Sequence, residues 1–351
     1  MNDQGAFIAN LLDASAKAFA AGTVLRLQES GTEASAFVER LGFGPLVEDA
    51  QQRLVCLAEA LACGRPELFA LDVEWVTSAY LGRGLSLELL KAMLACLEEE
   101  LAENLPSDAA RTAADYVRQG AAAVDRQAAA SPVSETEGSK HSEFALRFLR
   151  AALEGDRRKA EAVALEALDE GLGFGELHQH VIKPAQAEVG RLWQHGELHV
   201  GEEHAGTCIV EHVLAVLRSR LPEPEAVSRS VLVASVSGNL HEVGARVVAD
   251  HFEHRGWRVI FLGANVPSED LARAVEDHRP DLVALSAGLT VNVRSTAAAV
   301  AAVAALESAP KILVGGVPFV HIPELWQDVG ADAHANDAET AVQEGLRLTG
   351  S

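Results

Sequence analysis

Residues 231–256 read VLVASVSGNLHEVGARVVADHFEHRG. A run of apolar and small residues ends in a polar turn, and apolar positions at helical spacing follow, so the stretch reads as strand, loop and helix. The pattern recurs four times. RVIFLG (258–263) precedes SEDLARAVEDH, and LVALSA (282–287) precedes VRSTAAAVAAVAAL. KILVGG (311–316) precedes IPELWQDVG, and DAHA (332–335) precedes DAETAVQEGLRL. Strands alternating with helices imply a parallel, doubly wound sheet of the Rossmann or flavodoxin type over residues 229–351. Ligands bind such sheets beyond the carboxyl ends of the strands. His241, Ser286 and the pair Gly315–Gly316 all fall at that edge. A histidine in such a loop is solvated, catalytic or a metal ligand, and the residues alone leave these open.

Working back from the sheet, PEPEAVS is a short linker. Residues 143–221 form four helical segments with short joins, as a four-helix bundle requires. Residues 131–142 are polar, with Ser, Pro and Gly, and read as a linker. Residues 1–130, rich in Ala, Leu and Glu, form an all-α domain of five or six helices. The expected whole is a multidomain chain: an all-α N-terminal domain, a four-helix cap and an α/β sheet.

The formal net charge of −22 argues against direct binding to nucleic acid or to an anionic membrane. The four cysteines make no CxxC pair, so neither a disulfide framework nor a thiol redox motif is expected. The N-terminus lacks the basic and apolar regions of a signal peptide, and no apolar run is long enough to span a bilayer. A cytoplasmic location follows as the expectation. No Ser-His-Asp order, Walker loop or HExxH is found, and catalysis by the chain itself is not expected.

Three signals stand at spaced strand ends: Asn239-Leu240-His241-Glu242-Val243-Gly244, Ser286-Ala287-Gly288 and Gly315-Gly316. Forty-one residues separate the first from the second and 26 the second from the third. This spacing resembles the cobalamin-binding domain of corrinoid methyltransferases and mutases, whose pattern is Asp-x-His-x-x-Gly, Ser-x-Leu and Gly-Gly. The resemblance implies that His241 binds cobalt from below. It also implies that Asn239, Gly244, Ser286, Gly288, Gly315 and Gly316 bind the cofactor, the small residues leaving room for its displaced nucleotide tail. Imidazole suits that role as a cobalt ligand. Two positions depart from the family. Asn239 replaces an acidic residue, and its carbonyl oxygen can still accept the imidazole N–H, without charge. Gly288 replaces a leucine, which enlarges the tail pocket or alters its wall.

The helical segment at 143–221 contains Trp193, nine further residues, then Glu203-His204. Trp-x9-Glu-His resembles the cap of the light-dependent cobalamin repressors, where these residues cover the adenosyl group. In those proteins the residue after the tryptophan is a histidine that can replace the adenosyl group on cobalt. Here Gln194 stands there, leaving His195, His199 and His204 as candidates. The basic DNA-binding domain of the repressors is missing. The order of domains instead resembles the photocobilins, which carry a bilin beside cobalamin. Trp75, Tyr80, Arg83 and Lys91, or Arg26, Arg111 and Arg118, are candidate bilin contacts, and no spacing singles them out.

The resemblance therefore implies a photoreceptor and signal-transduction protein. Adenosylcobalamin is its cofactor, biliverdin a further candidate, and a light-dependent homo-oligomer or a protein effector its output. The alternatives are a corrinoid methyl carrier of a methyltransferase system and a cobalamin-responsive regulator without photochemistry.

Overall fold

The computed structural model describes residues 3–31, 33–129, 141–220 and 224–350. They divide into two compact units. The first holds the helices up to residue 129 together with residues 289–294, and the second holds the rest. The excursion of 289–294 into the first unit is a difference from the expected continuous domain at 229–351. The expected linker at 131–142 lies outside the described residues except for its last two.

The first unit contains helices α1 (Asp3–Glu29), α2 (Ala36–Leu41), α3 (Phe43–Cys63), α4 (Pro66–Gly82), α5 (Leu87–Asn104) and α6 (Ser107–Ala129). Helices α1 and α3 approach so closely that a Cβ at Gly5 would lie 2.2 Å from the Leu61 carbonyl oxygen. Arg53 and Asp72 form a buried ion pair at 2.8 Å, and the Tyr80 hydroxyl donates to Asp49 at 2.8 Å. Burial and the nearby Asp49 push the Tyr80 phenol well above its ordinary value. Cys56 and Cys96 are buried in this core, and Cys63, in an equally apolar stretch, is half-buried. Within the same unit, Arg294 binds Glu59 at 2.5 Å and Asp13 at 2.7 Å.

In the second unit, α7 (Ser142–Leu153), α8 (Arg157–Asp169), α9 (Phe174–Leu177), α10 (Lys183–Gln194) and α11 (Val200–Arg220) surround one apolar cluster that includes Phe148, Leu177, Ile182 and Leu214. Helices α9 and α10 are one rod joined through a π-helical turn, His178–Ile182. Pro184 explains the turn. Its ring has no N–H to give to the carbonyl of His180 and would clash with it in an α-helix, and a wider turn moves that carbonyl aside.

The sheet consists of β1 (Ser230–Val236), β2 (Arg258–Val266), β3 (Leu282–Ser286), β4 (Lys311–Gly315) and β5 (Ala333–Ala335), all parallel in the order β2-β1-β3-β4-β5. Helices α12 (Val243–His254), α13 (Ser268–His278), α14 (Val293–Ala304), α15 (Val317–His321), α16 (Leu325–Asp328) and α17 (Ala338–Leu348) connect or follow the strands. Alternate residues Val231 and Val233, Leu282 and Ala284, and Leu313 pack with Phe252 and Trp257 on one face. The intervening residues are equally buried on the other face, which is why these strands read as continuous apolar runs. Val247 of α12 and Ala338 of α17 join the apolar cluster of α7–α11, so the helical segment is seated on these two helices.

Candidate functional site

The strand order changes direction between β1 and β3, and the crevice at such a switch point is where doubly wound sheets bind ligands. The three sequence signals converge there. Ser235 pairs with Ser286 across β1 and β3, Ser286 with Gly315 across β3 and β4, and Gly315 with Ala335 on β5. One row of small residues thus crosses four strands at their carboxyl ends. No large side chain rises from that row.

His241 sits on the loop between β1 and α12 with its side chain exposed, and its ring nitrogens have no hydrogen-bond partner among the described residues. The backbone beneath it is fixed. Asn239, fully buried, accepts the His241 backbone N–H through Oδ1 at 3.1 Å and donates through Nδ2 to the Ser286 carbonyl at 3.1 Å. The Ser235 hydroxyl donates to the His241 carbonyl at 3.3 Å. From β2, the Asn265 N–H donates to the Asn239 carbonyl at 2.9 Å, and Asn265 Oδ1 accepts from the Gly238 N–H at 2.7 Å. Asn265 does this from a left-handed conformation (φ 53°), which asparagine tolerates better than most residues.

Asn239 uses its carboxamide oxygen on the backbone of the same loop. At Gly288 the His241 loop leaves no room for a side chain. A Cβ there would lie 2.7 Å from Asn239 Oδ1 and 2.9 Å from the His241 Cβ, so the loop itself occupies that space. Gly316 has φ 107°, and a Cβ on it would lie 2.0 Å from the Ala287 carbonyl oxygen, so glycine is required there by the backbone. Gly244, in the first turn of α12, has open space around its Cβ position. Asn265 and Ser235 are site residues that sequence reasoning missed. The only local signal was an asparagine at the end of an apolar run, before Val-Pro.

The cap residues lie elsewhere in the second unit. Trp193 is half-buried near the end of α10, and Glu203 and His204 lie in the first turn of α11. Gln186 Nε2 donates to the Thr207 hydroxyl at 2.9 Å, which donates to Glu203 at 2.8 Å, linking α10 to α11. His204 Nδ1 meets Glu203 at 2.6 Å. His195 Nδ1 lies 2.9 Å from Arg191, and His199 Nδ1 accepts the Glu202 N–H at 3.3 Å. Each of the three candidate histidines is thus engaged by its own segment, and no hydrogen bond, ion pair or ring contact among the described residues joins one to His241. Leu198, beside these histidines, and Val243, two residues from His241, pack on the same apolar cluster.

Four of the candidate bilin cations in the first unit form ion pairs with other side chains. Arg26 binds Glu100 at 2.6 Å and also Glu103, and Lys91 binds Asp125 at 2.9 Å. Arg118 binds Glu98 and Asp115, and Arg111 binds Asp108. Trp75 is exposed.

A cobalt-bearing macrocycle fits the edge of the sheet. His241 offers an exposed ring on a fixed backbone, the row Ser235, Ser286, Gly315 and Ala335 beside it is small, and Leu240 and Val317 add exposed apolar surface next to these positions.

Comparison with known proteins points the same way. Residues 229–345 match the B12 binding domain family, and residues 145–218 match a second family also described as a B12 binding domain. The trimethylamine corrinoid protein of Methanosarcina barkeri is 27% identical over 215 residues, covering 59% of this chain and 98% of that protein. A corrinoid protein of Desulfitobacterium hafniense is 25% identical over 209 residues, covering 57% of this chain and 95% of its own length. The solved monomethylamine corrinoid protein of M. barkeri shares the fold, with TM-score 0.53 at 19% identity over 59% of this chain and 98% of that one. Residues 145–218 and 229–345 are therefore similar to B12 binding domains, and the relatives that span both are corrinoid proteins.

Proposed function

We propose that this chain is a corrinoid carrier protein that holds cobalamin with His241 as the lower cobalt ligand. The observation that carries the reading is the exposed, unpartnered imidazole on a loop fixed by the side chains of Asn239, Ser235 and Asn265. When bound, cobalamin supplies a cobalt centre that accepts and releases a carbon ligand. His241 offers a ring nitrogen from a backbone already ordered, so little loop entropy is lost on binding. Ser286, Gly315 and Gly316 keep the edge of β3 and β4 low. The Gln186–Thr207–Glu203 chain orients a carboxylate in the first turn of α11. The likeness to methylamine corrinoid proteins supports a methyl group as the cargo and a methyltransferase as the partner.

A second reading, light sensing with adenosylcobalamin, is favoured by the helical unit at residues 3–129, which precedes both matched families and gives the chain a part a simple carrier does not need. Biliverdin and a light-dependent oligomer belong to this second reading.

The test is to load the full chain in darkness with methylcobalamin or adenosylcobalamin. Carrier function predicts methyl loss to a thiol acceptor when a corrinoid-dependent methyltransferase is present. It also predicts an elution volume that light leaves unchanged. No methyl transfer, with a light-dependent elution volume of the adenosyl form, would replace the first reading by the second. Failure to retain either cobalamin on gel filtration would reject both.

A further inference from the structure

We propose that Asn239 and Gly288 form a positioning pair that sets where His241 stands above the sheet, an inference that rests on His241 being the cobalt ligand. The carboxamide of Asn239 is buried and bridges two elements, accepting from the His241 backbone N–H and donating to the carbonyl of Ser286 at the end of β3. Its Nδ2 also lies 3.5 Å from the His241 carbonyl. The loop after β1 is thereby drawn against the end of β3. It can come that close only because residue 288 has no side chain, since a Cβ there would sit 2.7 Å from Asn239 Oδ1 and 2.9 Å from the His241 Cβ.

The two residues depend on each other. The amide pulls the loop inward, and the glycine vacates the volume that the loop then fills. In this loop the amide does what the family's carboxylate could not, because the atom at Nδ2 faces two carbonyl oxygens and donates to them. A carboxylate there would set a charged acceptor against two acceptors. His241 is thus placed through its main chain, with its ring left to the ligand. Asn239 acts through His241 and is a positioning residue, not a contact of the reacting atoms.

The experiment uses full-length chains carrying Asn239→Ala, Asn239→Asp, Gly288→Ala and the double change Asn239→Ala with Gly288→Ala, each titrated with hydroxocobalamin and checked for folding by thermal melting. Cobalamin bound in the cobalt(II) state is examined by EPR in chains grown with 15N-labelled histidine, where a histidine nitrogen splits each high-field line into two and the cofactor's own base into three. Each single variant is expected to bind at least tenfold more weakly and to lose part of the histidine signature. The double variant is expected to fall no further than about the Asn239→Ala level, because a released loop no longer meets the added methyl. Asn239→Asp is expected to behave like Asn239→Ala. Should one variant fail to fold, Asn239→Ser, which keeps an acceptor and loses the amide donor, replaces it, with an intermediate loss expected.

Wild-type affinity and splitting in the single variants, or losses that multiply independently in the double, would overturn the pairing. His241→Ala separates this from the underlying reading. If that change leaves binding and the splitting into two intact, the ligand assignment is wrong; if it abolishes the splitting into two while the others do nothing, only the pairing is.

Discussion

Gly316 lies so close to Ala287 that a Cβ on it would sit 2.0 Å from the Ala287 carbonyl oxygen, while the Gly315 carbonyl accepts the Ala287 N–H at 3.0 Å. The ends of β3 and β4 are therefore locked together by main chain, directly beside the loop that carries His241. The pair Gly315–Gly316 lets two backbones meet at this edge of the sheet.

Substituting Gly316→Ala is accordingly expected to cost more than about 2 kcal/mol, since it adds a backbone clash to a positive φ. Gly244→Ala, with open space around it, is expected to change stability by less than about 0.5 kcal/mol. Urea unfolding of both variants measures the difference. Equal stabilities would contradict the backbone account.

His178, in the π-helical turn, is pushed down to about 3 by burial, with His251 (when it is protonated) and Lys183 adding positive charge nearby and Asp337 opposing them. Its ring meets that of His251 at 5.7 Å, and burial lowers His251 too. Both are neutral in the folded state near neutral pH, whereas an unfolded histidine takes up a proton below about 6.5. The stability His178 contributes is present above that value and is lost as the pH falls from about 6.5 towards 3, and that of His251 is lost in the same direction. The slope is at most about 1.4 kcal/mol per pH unit for each group. Replacing His178 by Phe is expected to flatten the acid side of the stability profile, measured by urea unfolding between pH 7 and pH 4. An unchanged slope would contradict it.

Asp250 acts in the opposite sense. Burial raises its carboxyl to about 6, against the pull of Arg218 at 3.7 Å, so folding favours the protonated form. The contribution is fully present below about 3.8 and is lost as the pH rises through about 6. Asp250→Asn is expected to raise stability at pH 7 by up to about 2 kcal/mol and to change little at pH 4. Equal effects at both pH values would show that the carboxyl is not protonated on folding.

Much of the second unit was legible in the sequence because its strands are buried on both faces and its turns are polar. SEDLARAVEDH matches α13 residue for residue, and the ends of β1, β3 and β4 fall within a residue of the runs that predicted them. β2 runs on to Val266, past the predicted Gly263, because register shifts and the left-handed Asn265 carry it over a glycine that reads as a stop. The short α15 was missed, since a five-residue helix that opens on Val-Pro directly after Gly-Gly leaves no periodicity to detect. The positions of His241, Ser286 and Gly315 followed from spacing. What Asn239 and Gly288 do did not, because their partners lie 47 residues away in one case and across a loop in the other.

The central claim is a bond from His241 to cobalt. It is tested most directly by EPR of the chain loaded with cob(II)alamin after growth with 15N-labelled histidine. A nitrogen-14 ligand splits each high-field line into three and a nitrogen-15 ligand into two. The account predicts triplets from unlabelled protein, doublets from labelled protein, and no doublets from labelled His241→Ala. Triplets that persist in the labelled protein would place the cofactor's own base on cobalt and contradict the account.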